Sequence, residues 1–230
     1  MKNSKAYNVQ NISLEQFFSM LDEENEHLSW RDKIRNFEKL MAYYKCAMME
    51  IETKFNVLNE QFSLQHDRNP ISSIKTRIKS PESILKKLSS RNLQMSVASM
   101  EKNIYDIAGV RVICSFTQDV YTLADALLSQ DDISIVEIKD YIKNPKNNGY
   151  RSLHLIVAVP IFLVNEKRFM NVEIQLRTLA MDSWASLEHQ LKYKKDILFT
   201  EDMENELKRC ALLTAELDKK MDELRESVSL

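Results

Sequence analysis

The sequence predicts an α+β protein: a mixed sheet of about five strands, flanked by helices, with long helices near both ends of the chain. Two periodicities indicate this class. Apolar and polar residues alternate in about five short segments, as in strands, and apolar residues recur every three or four positions elsewhere, as in helices. The 230 residues, 44% of them hydrophobic, are enough for one large domain with a sizeable core.

The first long helix is expected to run roughly from Trp30 to Phe62. Ser29 is a candidate N-cap, and Asp32 three residues later completes a weak capping box. At 1.5 Å per residue the helix is about 50 Å long, more than one small domain covers, so part of its apolar seam is expected to meet another subunit. The seam has heptad spacing and consists of Ile34, Phe37, Met41, Tyr44, Met48, Ile51, Phe55, Leu58 and Phe62.

Two further helices are predicted near the ends, a shorter one over residues 12–28 and a final one over 203–224, again with heptad spacing. We therefore expect three parts: an N-terminal helical extension (1–68), a central domain (69–194), and a C-terminal helix (195–230) with a role in oligomerisation.

The first predicted strand has one apolar and one wholly basic face, because Ile74, Thr76 and Ile78 alternate with Lys75, Arg77 and Lys79. Ser80 and Pro81 then fit the N-cap and first position of a helix over 81–90. Ser83 and Lys87 lie one turn apart on the same side of that helix.

The remaining elements follow in order along the central domain. In the last strand, Val172, Ile174 and Leu176 alternate with the polar residues Glu173, Gln175 and Arg177. The expected ranges are a short helix at 96–103, a strand at 109–116, a helix at 119–129, strands at 132–139, 153–162 and 170–178, and a helix at 178–194.

The charge distribution favours a small anionic ligand over a long polyanion. The net charge is −2, yet residues 68–91 hold seven basic residues and one acid. RNA is therefore a conceivable partner but not a predicted one. No apolar run is long enough to cross a bilayer, and the N-terminus lacks the apolar core of a signal peptide, so we expect a cytoplasmic protein without a membrane partner.

The polar strand faces suggest a nucleotide–magnesium site. Asp106 and Arg111 bracket the start of a third strand, which also holds Gly109. Cations there would hold phosphates, and carboxylates would hold Mg²⁺, which prefers oxygen ligands. The helix start at Ser80 could add a phosphate site within reach of Ser83 and Lys87. The alternatives are solvated strand faces and an ordinary first-turn serine.

The loop Lys143–His154 contains Gly149, the second of only two glycines. Asn147-Asn148-Gly149 is a strong turn signal. Such a turn can direct Tyr150 outward as a platform for a purine base, beside Lys146, Arg151 and His154. The alternative is an ordinary hairpin turn with a half-buried tyrosine and a structural histidine.

Four segments carry a resemblance to a known family: DIAGVRVICSF, KDYIKNPKNNGYRSLH, VEIQLRT and MDSWASLEHQLKYK. They closely resemble the synthetase domain of the RelA/SpoT homologue family, and the length is similar to its single-domain branch, the small alarmone synthetases. The resemblance covers about residues 69–194. It implies a nucleotidyltransferase-like fold, a homotetramer, and transfer of the β,γ-pyrophosphate of ATP to the 3′-OH of GDP or GTP, giving AMP and (p)ppGpp.

The resemblance also implies roles for individual residues. Glu173 would activate the acceptor hydroxyl and bind Mg²⁺ together with Asp106. The nucleotide-binding residues it implies are Arg77 and Arg111 beside adenine, Lys79, Ser83 and Lys87 on the ATP phosphates, Tyr150 stacked on guanine, and Lys139, Lys146, His154 and Gln175 around the acceptor. Two positions depart from common family members: Ser90 stands where a basic residue is frequent, and Lys139 where some members carry arginine.

Two other functions remain open at this point. A different nucleotide pyrophosphotransferase could act on adenine nucleotides or tRNA, because the π-face of Tyr150 does not distinguish guanine from adenine. A catalytically silent nucleotide- or RNA-binding regulator would not require both Asp106 and Glu173.

Overall fold

The computed structural model describes residues 29–66, 68–193 and 199–228. The predicted helix over 12–28 lies outside the described residues. Five strands form one mixed sheet, as the sequence predicts. The elements in chain order are α1 (Trp30–His66), β1 (Ile71–Ile78), α2 (Pro81–Ser90), α3 (Val97–Asn103), β2 (Ala108–Cys114), α4 (Thr117–Leu128), β3 (Ser134–Asp140), β4 (Leu153–Phe162), β5 (Lys167–Thr178), α5 (Leu179–Tyr193) and α6 (Glu201–Ser227).

The strand order is β1-β2-β5-β4-β3. Strands β2 and β5 pair in parallel at the centre, and the other three pairings are antiparallel. Strand β2 therefore lies between β1 and β5, the two strands whose alternation predicted a polar face. Since cross-strand partners share a face of the sheet, this order brings the two polar faces together.

Several helix starts have the predicted caps. The Ser29 hydroxyl accepts from the Asp32 backbone N–H and donates to the Asp32 carboxylate, which completes the capping box. Ser80 caps α2 by accepting from the Ser83 backbone N–H, with Pro81 in the first turn. These caps fix where each helix begins.

Helix α1 packs along the apolar face of the sheet and forms much of the core. Its seam residues Tyr44, Ile51 and Phe55 are at most 1% exposed, and Phe37, Met48 and Leu58 are also buried. The expectation that part of this seam meets another subunit is wrong for these residues. A helix lying across several strands finds more apolar surface than its length alone suggested, since α1 contacts β1, β2, β4 and β5.

Helix α6 packs in the opposite way, with its small and polar residues inward. Ala211 and Asp218 are buried, whereas the seam residues Leu217 and Leu224 are 52% and 59% exposed. The predicted heptad seam therefore lies mostly on the outer surface of this chain. Among the helices that the structure describes, none combines the length and the apolar character that a bilayer crossing requires.

Candidate active site

A row of polar side chains crosses one face of the entire sheet. In the strand register, Lys75 lies opposite Arg111, Arg111 opposite Gln175, Gln175 opposite His154, and His154 opposite Lys139. Each strand contributes one member. The opposite face carries core residues such as Val112 and Leu176, so hydrophobic alternation alone dictates that this row faces the other side.

A second row, two residues along the strands, contains Arg77, Gly109 and Glu173. A β-carbon built on Gly109 would make only ordinary contacts, the nearest at 3.7 Å from the Arg77 carbonyl oxygen. At this position no side chain stands between the arginine and the carboxylate. The members of both rows on β1, β2 and β5 form the floor of a cleft of about 650 Å³, and α5 forms one wall. His154 and Lys139, on β4 and β3, do not line this cleft. The cleft is large enough for a nucleotide.

Asp106 lies two residues before β2 and makes two ion pairs. Its Oδ2 atom is 2.9 Å from Lys79 Nζ and 2.7 Å from Lys87 Nζ. Burial opposes ionisation of this carboxyl, but the hydrogen bonds and charges of the two lysines outweigh burial and lower its pKa below the usual value. Asp106 is therefore ionised at neutral pH.

Glu173 lies on the same floor and is also held ionised. Burial and the charge of Asp106 raise its pKa, while hydrogen bonds from His154 and Gln175 outweigh them and lower it. Its Oε1 atom is 3.5 Å from His154 Nδ1, and Gln175 Nε2 donates to Oε2 at 2.9 Å. Two ionised carboxylates that influence each other thus line one cleft.

The two carboxylates fit a divalent cation. The Asp106 Oδ1 atom is buried and has no hydrogen-bond partner, and a buried acceptor of this kind suits a hard cation. Within residues 29–66, 68–193 and 199–228, no group of three or more His, Cys, Asp or Glu could hold a metal. A metal here would need substrate oxygens and water to complete its shell, which is the usual manner of Mg²⁺ binding.

The residues predicted to bind ATP lie in or beside the cleft, except Ser83, for which no contact with the cleft is seen. Arg77 is exposed and Arg111 half-buried, and both line the cleft. Ser83 lies in the first turn of α2, where its side chain accepts a hydrogen bond from the Ser80 hydroxyl at 3.0 Å. Lys87, one turn further on, reaches the cleft through its ion pair with Asp106.

Tyr150 points into the cleft, so the prediction that the turn directs it outward is wrong. The turn itself forms as predicted, with Gly149 at φ +91°. A β-carbon on Gly149 would come within 2.5 Å of the Ala211 β-carbon, so the loop packs closely against α6. The Tyr150 hydroxyl is 2.7 Å from His154 Nε2 and 2.5 Å from Arg177 Nη2.

Of the two lysines predicted to bind the acceptor nucleotide, Lys146 lies beside this ring and Lys139 pairs with a neighbour on its own strand. Lys146 Nζ lies 4.9 Å from the Tyr150 ring centroid and 4.6 Å from that of Tyr141. Lys139 sits on the edge strand β3, opposite His154, with its ammonium 2.7 Å from Glu137. These contacts make a cation–aromatic corner at one end of the cleft.

Sequence reasoning missed Asp182 and gave no site role to Arg177. The Asp182 carboxylate, in the first turn of α5, binds Lys75 at 3.1 Å, Arg111 at 3.3 Å and Arg177 at 3.2 Å. Arg177 lies on the alternating polar face of β5, which could have flagged it. Nothing in the local pattern singles out Asp182, because two of its partners are 107 and 71 residues away.

Comparisons with known proteins agree on one family. The sequence profile described as "Region found in RelA / SpoT proteins" matches residues 76–197. The chain is 42% identical over 195 residues to the GTP pyrophosphokinase YwaC of Bacillus subtilis, which covers 85% of this chain and 93% of that protein.

Solved structures are similar as well. The small alarmone synthetase 1 of Bacillus subtilis bound to its product pppGpp matches with a TM-score of 0.77 and 33% identity, over 85% of this chain and 100% of that one. The same enzyme bound to AMPCPP matches with a TM-score of 0.72 and 31% identity, over 85% and 98%. The expected fold and resemblance are thereby confirmed.

Proposed function

This chain belongs to the RelA/SpoT family, and from that premise we propose that it is a (p)ppGpp synthetase that transfers the β,γ-pyrophosphate of ATP to GDP or GTP. In this reaction the acceptor 3′-oxygen bonds to the β-phosphorus of ATP. The bond from that phosphorus to the α,β-bridging oxygen breaks, and AMP leaves. The products are AMP and ppGpp or pppGpp.

The observation that carries the proposal is the pairing of two ionised carboxylates with a set of cations in one cleft. Pyrophosphoryl transfer needs positioning and charge neutralisation more than covalent catalysis. Lys79 and Lys87 lie beside Asp106, where they can move onto the phosphates of an incoming triphosphate. We assign Arg77 and Arg111 to the adenine end and Ser83 to the phosphates.

We propose that Asp106 and Glu173 hold Mg²⁺. When bound, Mg²⁺ neutralises charge on the transferred group and helps orient it. The free Oδ1 atom of Asp106 and the low pKa of both carboxyls support this assignment.

Glu173 accepts the proton of the acceptor 3′-OH in this scheme. A carboxylate with a lowered pKa is a weak base. The position of the 3′-hydroxyl relative to Glu173 therefore matters more than the proton affinity of the carboxylate. The His154 and Gln175 side chains restrain the two Glu173 oxygens, which keeps the carboxylate in place for that transfer.

The acceptor nucleotide is assigned to the corner around Tyr150. The Tyr150 ring can stack on guanine. Lys139 and Lys146 supply positive charge for the acceptor phosphates, and His154 and Gln175 line the ribose side. The half-buried ring supports a defined stacking position rather than a mobile platform.

A product assay tests the function. Purified protein with labelled ATP and Mg²⁺ is offered GDP, GTP, ADP or tRNA separately. We expect AMP and a guanine nucleotide carrying the label only with GDP or GTP. Transfer to ADP or tRNA would favour the alternative pyrophosphotransferase, and nucleotide binding without AMP release would favour the silent regulator.

We further propose a homotetramer, supported by the exposed leucines of α6, among them Leu213 and Leu217. The cytoplasmic location stays a prediction from the sequence, consistent with nucleotide substrates. The division at residues 68 and 194 also stays a proposal.

A further inference from the structure

Arg177 is an unusual cation for a nucleotide cleft because it is buried. It lines the cleft yet is only 4% exposed, whereas Arg77 is exposed. Its two Nη atoms donate to protein atoms: Nη1 to Asp182 Oδ1 at 3.2 Å, and Nη2 to Tyr150 Oη at 2.5 Å and Gln175 Oε1 at 3.0 Å. Its Nε atom is buried and has no hydrogen-bond partner. Such a guanidinium is placed to organise its neighbours rather than to bind phosphate directly.

Two of those neighbours, Tyr150 and Gln175, are among the residues assigned to the acceptor nucleotide. The Arg177 guanidinium carbon lies 5.0 Å from the Tyr150 ring centroid, so Arg177 touches both the ring and the hydroxyl. The same hydroxyl also forms a hydrogen bond with His154 Nε2, 2.7 Å away. The ring is thereby restrained at its tip and at its face, which lowers the cost of ordering it when a base stacks on it.

Asp182 connects Arg177 and Tyr150 to the side of the cleft assigned to ATP. Its Oδ1 atom accepts from Arg177 and from Arg111, and its Oδ2 atom accepts from Lys75. The carboxylate is 8% exposed and balances the charges of cations from β1, β2 and β5. A buried cation that lost this partner would be strongly disfavoured.

We propose that Arg177 and Asp182 are positioning residues: Arg177 sets the place of Tyr150 and Gln175 for the acceptor nucleotide, and Asp182 links that side of the cleft to Arg111 on the donor side. This inference rests on the proposed function for the identity of the two nucleotides. It predicts unequal effects. Changes at Arg177 weaken acceptor binding, and changes at Asp182 weaken the binding of both substrates.

The test measures binding of GDP and of a non-hydrolysable ATP analogue by calorimetry, together with KM for each substrate. Arg177→Lys keeps the charge but loses the planar fork. It should weaken GDP binding about tenfold, a loss of ~1.4 kcal/mol, and change ATP-analogue binding less than about threefold. Asp182→Asn should weaken both by about fivefold or more.

The matched control is Arg68→Lys. Arg68 donates both Nη atoms to the buried Asp119 outside the cleft, so its substitution should leave the binding of both nucleotides unchanged. Equal effects of Arg177→Lys on the two nucleotides, or no effect on GDP, would overturn the proposal.

Tyr150→Phe tests the same contact from the other partner and does not depend on the folding of the arginine variant. It keeps the ring and removes the hydroxyl, so GDP binding should weaken about threefold. Combined with Arg177→Lys, the losses should be less than additive, and full additivity would contradict an action of Arg177 through Tyr150. An unsubstituted chain that binds GDP but releases no AMP would refute the proposed function, while the binding data would still decide the role of Arg177.

Discussion

Lys87 and Asp106 form an ion pair in which Nζ lies 2.7 Å from Oδ2. Lys87 is predicted to bind the phosphates of ATP, and Asp106 is predicted to bind the metal. Lys79 Nζ lies 2.9 Å from the same Oδ2 atom. The charges that a metal–triphosphate complex would meet therefore neutralise one another in the free protein.

Asp106→Asn should reduce AMP formation at least about 100-fold, because an amide is a poor ligand for a hard cation and no longer balances two lysines. The rate is measured with ATP and GDP over a range of Mg²⁺ concentrations, and excess Mg²⁺ should not restore it. Asp132→Asn is the control, since Asp132 pairs with Lys54 at 2.7 Å outside the cleft. Activity within about threefold of the unsubstituted chain would contradict the assignment.

Asp218 should make stability depend on pH. Burial raises its pKa to about 6, against the opposing influence of the Thr178 hydrogen bond and of Arg151. The native state therefore binds this proton more tightly than the unfolded state. Its contribution to stability is complete below about pH 4 and is lost as pH rises to about 6, a loss of ~3 kcal/mol.

Asp218→Asn should remove that loss. Denaturant unfolding at about pH 4.5, 6 and 7.5 should give a variant whose stability relative to the unsubstituted chain increases with pH. Glu216→Gln, which changes an exposed carboxylate on the same helix, is the control. Its free energy of unfolding should vary with pH in the same way as that of the unsubstituted chain. Parallel curves for Asp218→Asn would mean that its carboxyl titrates normally.

The two glycines should respond differently to alanine. Gly149→Ala combines a positive φ with a 2.5 Å approach to the Ala211 β-carbon, so we expect destabilisation by about 2 kcal/mol or more. Gly109→Ala meets nothing closer than 3.7 Å and should unfold at nearly the same temperature as the unsubstituted chain. Equal melting temperatures for the two variants would refute the contact between the loop and α6.

The exposed leucines of α6 should mediate assembly. The double variant Leu213→Glu/Leu217→Glu places charges on a surface that we propose to be buried between subunits. Light scattering should therefore report a species smaller than the expected tetramer. Val164→Glu, at a position 98% exposed in the β4–β5 turn, is the matched control. An unsubstituted chain that is monomeric at micromolar concentration would contradict the tetramer.

Much of the cleft floor could be predicted because strand alternation is a local signal. The alternation of Lys75 and Arg77 with apolar residues fixed their face of the sheet, and the same held for Glu173 and Gln175. Their convergence needed the strand order, which places β2 between β1 and β5. The sequence analysis made no prediction of that order.

Other features depended on contacts that no local pattern encodes. Asp182 has polar partners on three strands, and the inward position of Tyr150 depends on Ala211, 61 residues after it in the sequence. The α1 seam looked too long for one domain, because its spacing says nothing about how many strands it crosses. In each case at least one partner comes from an element distant in the sequence.

The most direct test of the central claim is the rate of AMP and ppGpp formation by Glu173→Gln, with binding of an ATP analogue measured alongside. The account predicts a loss of about 1000-fold or more with a folded protein that still binds the analogue, while Glu166→Gln, which alters a carboxylate bound to Tyr43, stays active. Turnover by Glu173→Gln within about tenfold of the unsubstituted chain would contradict the role of this carboxylate in pyrophosphoryl transfer.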